Sequence, residues 1–269
     1  MTRHPVITVL AIVALNIIPI YSQVVASEKV QVRPLSVRDH EPISADASAA
    51  DLEKSGDELR AAKAYFDAQD CYEAAIRKNP DSAELYNKLG ITDLMAARLE
   101  GARQNFDRAV KLNPRYAEAY NNLGVVEYVQ KRYGKATKDY DKAIRFDPND
   151  ASYFSNLGTA YFSRKKWTKA TQAYEHALSL DPDVFSYASH VGIAGQISSP
   201  ADQAHFSYLL AKLYAKDGLT DRSLQYLRRA MEEGYKDVNE VYKDTEFATL
   251  RKDPRFAQLM ASRPVAISE

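Results

Sequence analysis

The chain has 269 residues, with 36 Lys and Arg balanced by 36 Asp and Glu and 45% hydrophobic residues, a composition ordinary for one large or two small globular domains. Zero net charge gives no basic excess to gather phosphates, so nucleic acid is not an expected partner. The single cysteine, Cys71, excludes an intramolecular disulfide and any zinc site built on several thiolates.

The first expected element is a targeting segment over residues 1–26. Arg3 gives a positive start, Val6 to Ile20 is apolar except for Thr8, Asn16 and Pro19, and Val24-Val25-Ala26 sets small residues ahead of a cut before Ser27. That is the grammar of a cleaved secretory signal. The apolar run is about 15 residues where a spanning helix needs about 20, so the sequence predicts export, periplasmic or secreted, with no stable membrane span after cleavage. An uncleaved N-terminal anchor is the alternative. Without Arg3 the exported chain carries one more acid than base. Cys71 is then expected to act as a small buried hydrophobe, with an intermolecular disulfide as the alternative. Residues 27–48 are rich in Ser, Asp, Ala and charge, hold Pro34 and Pro42 and show no sustained apolar period. They read as a flexible linker.

From residue 49 the chain repeats every 34 residues. Pro80, Pro114, Pro148 and Pro182 recur at that interval, as do Gly56, Gly90, Gly124 and Gly158. So do Ala68, Ala102, Ala136 and Ala170; Ala75, Ala109, Ala143 and Ala177; and the aromatic series Tyr72, Phe106, Tyr140 and Tyr174. The units run 49–82, 83–116, 117–150 and 151–184. In each, residues such as Tyr86, Leu89 and Gly90 share one helical face. A second stripe, such as Ala102, Phe106 and Ala109, predicts a second helix after a short polar turn expected to include Gly101 or Gly134. The small residues let backbones approach, and the prolines stop the second helix. Asp81-Ser82 and Asn149-Asp150 are expected caps. No hairpin buries its stripe alone, so neighbours must stack.

This pattern resembles the tetratricopeptide repeat (TPR), whose unit reads large-x2-Leu-Gly-x2-Tyr and then Ala-x3-Phe-x2-Ala-x4-Pro. Residues 151–184 fit at all eight places, through Phe154, Leu157, Gly158, Tyr161, Ala170, Tyr174, Ala177 and Pro182. Ser55 departs where Leu is usual, and Asp93 and Glu127 depart where a large apolar residue or Tyr is usual. The resemblance implies an all-α fold, a right-handed α-solenoid of stacked helix-turn-helix repeats with a C-terminal capping helix.

After Pro182 the register is lost. Residues 183–203, with Gly192, Gly195 and Ser198-Ser199-Pro200, read as an insertion that either covers the core or forms a binding lip. Residues 204–236 form a degenerate fifth unit, with Leu210, Ala211 and Tyr214 on its first helix and Ser223, Leu227 and Ala230 on its second. Residues 237–269 read as cap and tail, where Asp253-Pro254 starts a final helix and Phe247, Leu250, Phe256 and Leu259 face the stack.

The residues offer little for catalysis. The five histidines, His4, His40, His176, His190 and His205, share no metal-ligand spacing. The chain has neither a phosphate-cradling glycine loop nor a nucleophile elbow. No catalytic residue, metal or cofactor is expected. Asp93 and Glu127 are expected to be satisfied by basic neighbours or to sit half exposed rather than to act as an acid–base pair. An enzyme would need a pocket built by residues 183–236, and a scaffold would use the convex face or the ends.

The resemblance also implies that first helices line a concave surface through the second, fifth, sixth, ninth, twelfth and thirteenth places of each unit. Lys54, Lys88, Asn122 and Asn156 stand at the sixth place, Asn87 and Asn121 at the fifth, and Ile91, Val125, Leu94, Tyr128 and Phe162 at the ninth and twelfth. Amides over an apolar floor are expected to hold an extended peptide backbone, and the lysines to favour an acidic residue or a chain terminus. Alternatively, Asn at the sixth place is only the family's common choice. The carboxylate clamp of heat-shock chaperone adaptors, Lys at the fifth place and Asn at the ninth, is not matched: Glu53 pairs with Asp57, Asn87 with Ile91, and Asn121 with Val125. The expected function is a non-enzymatic adaptor that binds a protein or peptide segment.

Overall fold

The computed structural model describes residues 46–185 and 199–262. The expected leader, the linker before Asp46, the insertion between Phe185 and Ser199, and the tail after Ser262 lie outside these residues.

The described residues form helices and turns, without a strand. Four hairpins follow the repeat: α1 (Ala49–Ala61) with α2 (Tyr65–Lys78), α3 (Ala83–Met95) with α4 (Leu99–Leu112), α5 (Ala117–Val129) with α6 (Tyr133–Phe146), and α7 (Ala151–Ser163) with α8 (Trp167–Leu180). A fifth follows, α9 (Pro200–Lys216) with α10 (Thr220–Glu232). Each helix packs on its partner, and α2, α4 and α6 pack on the first helix of the next unit.

Local chemistry sets the boundaries. Ser48 caps α1 in a capping box with Asp51, and Ser82, Asp150 and Ser199 each accept a backbone N–H of the following helix. Such caps satisfy donors that have no partner inside the helix. The turns inside the hairpins differ from the expectation. Gly101 and Gly134 lie within the first turns of α4 and α6, and the backbone instead reverses on Lys63, Ala97, Lys131 and Lys165, with φ of 62°, 60°, 59° and 57°. These residues recur at the 34-residue period. Each turn closes on the same pair of hydrogen bonds, as in Ala97 N–H to Leu94 C=O and Arg98 N–H to Asp93 C=O. In the fifth unit Gly218, at φ 75°, takes that place, the residue best suited to a left-handed helix end.

The glycine and aromatic series are two halves of one contact. A Cβ on Gly56, Gly90, Gly124 or Gly158 would stand 2.4–2.7 Å from the ring of Tyr72, Phe106, Tyr140 or Tyr174, so only glycine lets the two helices of a hairpin close on that ring. All four rings are fully buried, as are Ala68, Ala75, Ala102, Ala109, Ala136, Ala143, Ala170 and Ala177. Cys71 is buried among them on α2. Its thiol is pushed up by burial and then by Asp70 and Asp67, which suits a packing role.

After α10 the chain makes three short 3-10 turns, Val238–Tyr242, Thr245–Ala248 and Leu250–Lys252, before α11 (Pro254–Ser262). Phe247, Leu250, Phe256 and Leu259 are all buried and join one core with Leu213, Leu227, Tyr174 and Phe162. That core runs from the fourth hairpin through the fifth to α11.

Candidate peptide-binding wall

The first helices α1, α3, α5 and α7 form one wall: α3 touches α5, and α5 touches α7. The side chains that join them stand at the expected places. Lys88 on α3 donates to Glu53 Oε1 at 2.6 Å and Asp57 Oδ2 at 2.8 Å on α1. Asn122 on α5 donates to Asn87 Oδ1 on α3 at 3.0 Å, and Asn156 on α7 donates to Asn121 Oδ1 on α5 at 2.9 Å. Tyr128 and Ser163 share a hydroxyl contact of 2.9 Å between α5 and α7. Each such bond contributes about 1 kcal/mol net.

The expected site residues separate by exposure. Lys54 is open to solvent, Lys88, Ile91, Leu94 and Asn122 are half-buried, and Asn87, Asn121, Val125, Tyr128, Asn156 and Phe162 are buried. The expected row of open amide donors is therefore largely a ladder between repeats. Asn87 is itself bonded to Glu118 Oε1 at 3.0 Å and to the Tyr116 hydroxyl at 3.3 Å. The physical reason is depth: at the fifth place the side chain enters the joint between two first helices, where an amide lacking a partner would be costly. Phe162 likewise belongs to the core, between Trp167, His205 and Phe206 at ring distances of 4.8, 5.4 and 5.9 Å. Burial holds the His205 imidazole below its ordinary range.

Lys88 also differs from the expectation, while Lys54 stays open to solvent. Burial opposes the Lys88 charge, but hydrogen bonds to Asp57 and Glu53 outweigh it and hold the ammonium above its ordinary range. Burial pushes the Asp57 carboxyl up, while Lys88 and Tyr72 together pull it lower than usual. Lys88 is thus occupied within the chain and does not offer a free cation to an acidic guest.

Asp93 and Glu127 follow the structural expectation. Asp93 accepts Arg98 Nε and Asn105 Nδ2, both at 2.8 Å, and Arg132 grips Glu127 through two nitrogens. Each buried acid bonds the arginine five residues on, bracing its own turn. Between α8 and α9 a cleft of about 340 Å³ is lined by Trp167, Leu209, Lys212 and Lys216. Its lysines pair with Asp244 at 3.0 Å and Glu175 at 2.6 Å. Among the described residues no group of three His, Cys, Asp or Glu could hold a metal ion, and no helix is long and apolar enough to cross a membrane.

Two wall residues escaped residue-by-residue reading. Met95, at a thirteenth place, is 47% exposed on the same face as Ile91 and Leu94. Glu118, at a second place, is exposed beside Tyr116. Both were reachable from the place rule, which names those positions.

Comparison with known proteins bears on the repeat and the fold. Two tetratricopeptide-repeat models match the chain, one over residues 94–151 and one over 151–184. No curated protein sequence matches it. Among solved structures, PilF of Pseudomonas aeruginosa aligns over 80% of this chain and 97% of its own, at a TM-score of 0.54 and 18% identity. A thermophilic TPR protein of Thermus thermophilus aligns over 80% of this chain and all of its own, at 0.49 and 24%. MamA aligns over 73% of this chain and 95% of its own, at 0.49 and 22%. The PilF likeness is one of fold. Residues 94–184 thus match tetratricopeptide-repeat models and are set in an all-helical solenoid whose other hairpins share their geometry.

Proposed function

We propose that the protein is a non-enzymatic adaptor that holds an extended segment of another protein against the wall of α1, α3, α5 and α7. The observation that carries this reading is Met95, a large apolar side chain left 47% exposed on the wall. Ile91 and Leu94 flank it half-buried, and Asn122, bonded to Asn87 on α3, is half-buried as well. A guest would cover the apolar strip and bond the amide, gaining roughly 25 cal/mol for each Å² of apolar surface removed from water.

The proposal places this adaptor outside the cytoplasm, on the strength of Arg3, the apolar run from Val6 to Ile20 and the small residues Val24-Val25-Ala26. Mass spectrometry of the protein from fractionated cells should find it beginning at Ser27. An intact N-terminus in the membrane fraction would instead mark an anchor. For the wall, affinity capture with Met95→Glu and Asn122→Ala should lose the partner that the unaltered protein retains. Undiminished capture by both variants would overturn the reading.

A further inference from the structure

We infer that the segment received by this wall is basic at one end and apolar at the other, its cation seated by Glu84 and Glu118 and its apolar side chain on Met95; the inference rests on the wall reading above. The charged groups along the wall are unequally satisfied. Lys88 is taken by Glu53 and Asp57, and Arg60 pairs with Asp57 at 3.1 Å. Lys54 lies on α1, 4.0 Å from Glu58. Glu84 keeps 65% of its side chain exposed, with Lys88 no nearer than 3.8 Å.

Glu118 has no ion pair among the described residues. Its oxygens accept Asn87 Nδ2 at 3.0 Å and the Tyr116 hydroxyl at 3.5 Å, neutral donors that aim the carboxylate without cancelling its charge. Glu84 and Glu118 occupy the second place of adjacent units and act on the same ring: burial first, then Glu118 and Glu84, push the Tyr116 phenol up. This end of the wall therefore holds one oriented carboxylate without an ion pair, Glu118, and a second, Glu84, that shares Lys88 with Glu53 and Asp57, so acid exceeds base there. A guest anion would be repelled there and a guest cation attracted.

The spacing follows from helix geometry. From the second place to the thirteenth is eleven residues of helix, or about 16 Å at 1.5 Å each. An extended guest covers that distance in about five residues at roughly 3.3 Å each. The recognised pattern is an arginine or lysine about five residues from a large aliphatic or aromatic side chain.

The test uses three short fluorescein-labelled peptides that share a leucine pair and carry, about five residues away, an arginine pair, a glutamine pair or a glutamate pair. Anisotropy at low salt should rank them in that order, with at least about a tenfold gap between arginine and glutamate that narrows as salt screens it. Glu84→Gln with Glu118→Gln should erase most of the gap, and Met95→Glu should weaken the glutamine peptide. Both changes are at solvent-exposed side chains, and matching melting curves confirm that the variants fold. Equal affinities, or a preference for the glutamate peptide, would overturn the charge inference while a persistent effect of Met95→Glu left the wall reading standing. Absence of binding by all three peptides, or indifference of every peptide to Met95→Glu, would overturn both.

Discussion

A single side-chain pair repeated along the stack shows how finely each hairpin is matched. Where the second helix brings a tyrosine under the wall, the first helix supplies a polar partner at its ninth place: the Tyr72 hydroxyl donates to Asp57 Oδ1 at 2.6 Å, and that of Tyr174 to Thr159 Oγ1 at 3.1 Å. Where the second helix brings Phe106, the ninth place is Ile91. The third unit breaks the rule, because Tyr140 faces a unit whose ninth place is Val125, and its buried hydroxyl has no hydrogen-bond partner. An unmet buried hydroxyl is destabilising, whereas a met one contributes about 1 kcal/mol. Tyr174→Phe should therefore cost about 1 kcal/mol in urea unfolding, and Tyr140→Phe should leave stability equal to or above that of the unaltered protein. Equal losses at the two positions would show that Tyr140 has a partner after all. The ring series was legible from the 34-residue period, but the pairing of hydroxyl with ninth place was not, since it depends on which way each ring points.

At the scale of elements, helix positions followed from periodicity, while the turns and the C-terminal joint did not. Glycine drew attention as the turn residue because Gly101 and Gly134 stand near the break, yet the left-handed residues are Lys63, Ala97, Lys131 and Lys165. Nothing in the side chains of Ala or Lys announces that conformation; the closing hydrogen bonds of the hairpin impose it. A non-glycine residue there is held at a cost of about 1 kcal/mol. Ala97→Gly should consequently raise stability by about 0.5–1 kcal/mol, read from the thermal midpoint, and a loss would contradict the turn geometry. The cap was legible as a row of apolar residues, but its three 3-10 turns were not, because short segments carry too few residues to show a period. Phe247, fully buried and 5.6 Å from the Tyr208 ring, anchors it. Phe247→Ala should cost about 3–5 kcal/mol, and a cost below about 1 kcal/mol would mean that the segment does not close the fifth hairpin.

At the scale of the molecule, the repeat organises both stability and recognition. Every unit buries an apolar stripe, and the ladder from Asn156 through Asn121 and Asn122 to Asn87 ties adjacent first helices across the wall. The sequence located the wall places through the family's register, but it could not distinguish an amide offered to a guest from one consumed by the next repeat. That depends on depth, which only the packed structure gives. The most direct test is site-specific photocrosslinking in the native host. A benzophenone side chain at position 95, on α3, should crosslink the copurifying partner, and one at position 138, on the exposed side of α6, should not. Crosslinks from position 138 with none from position 95 would place recognition on the second helices and contradict the account.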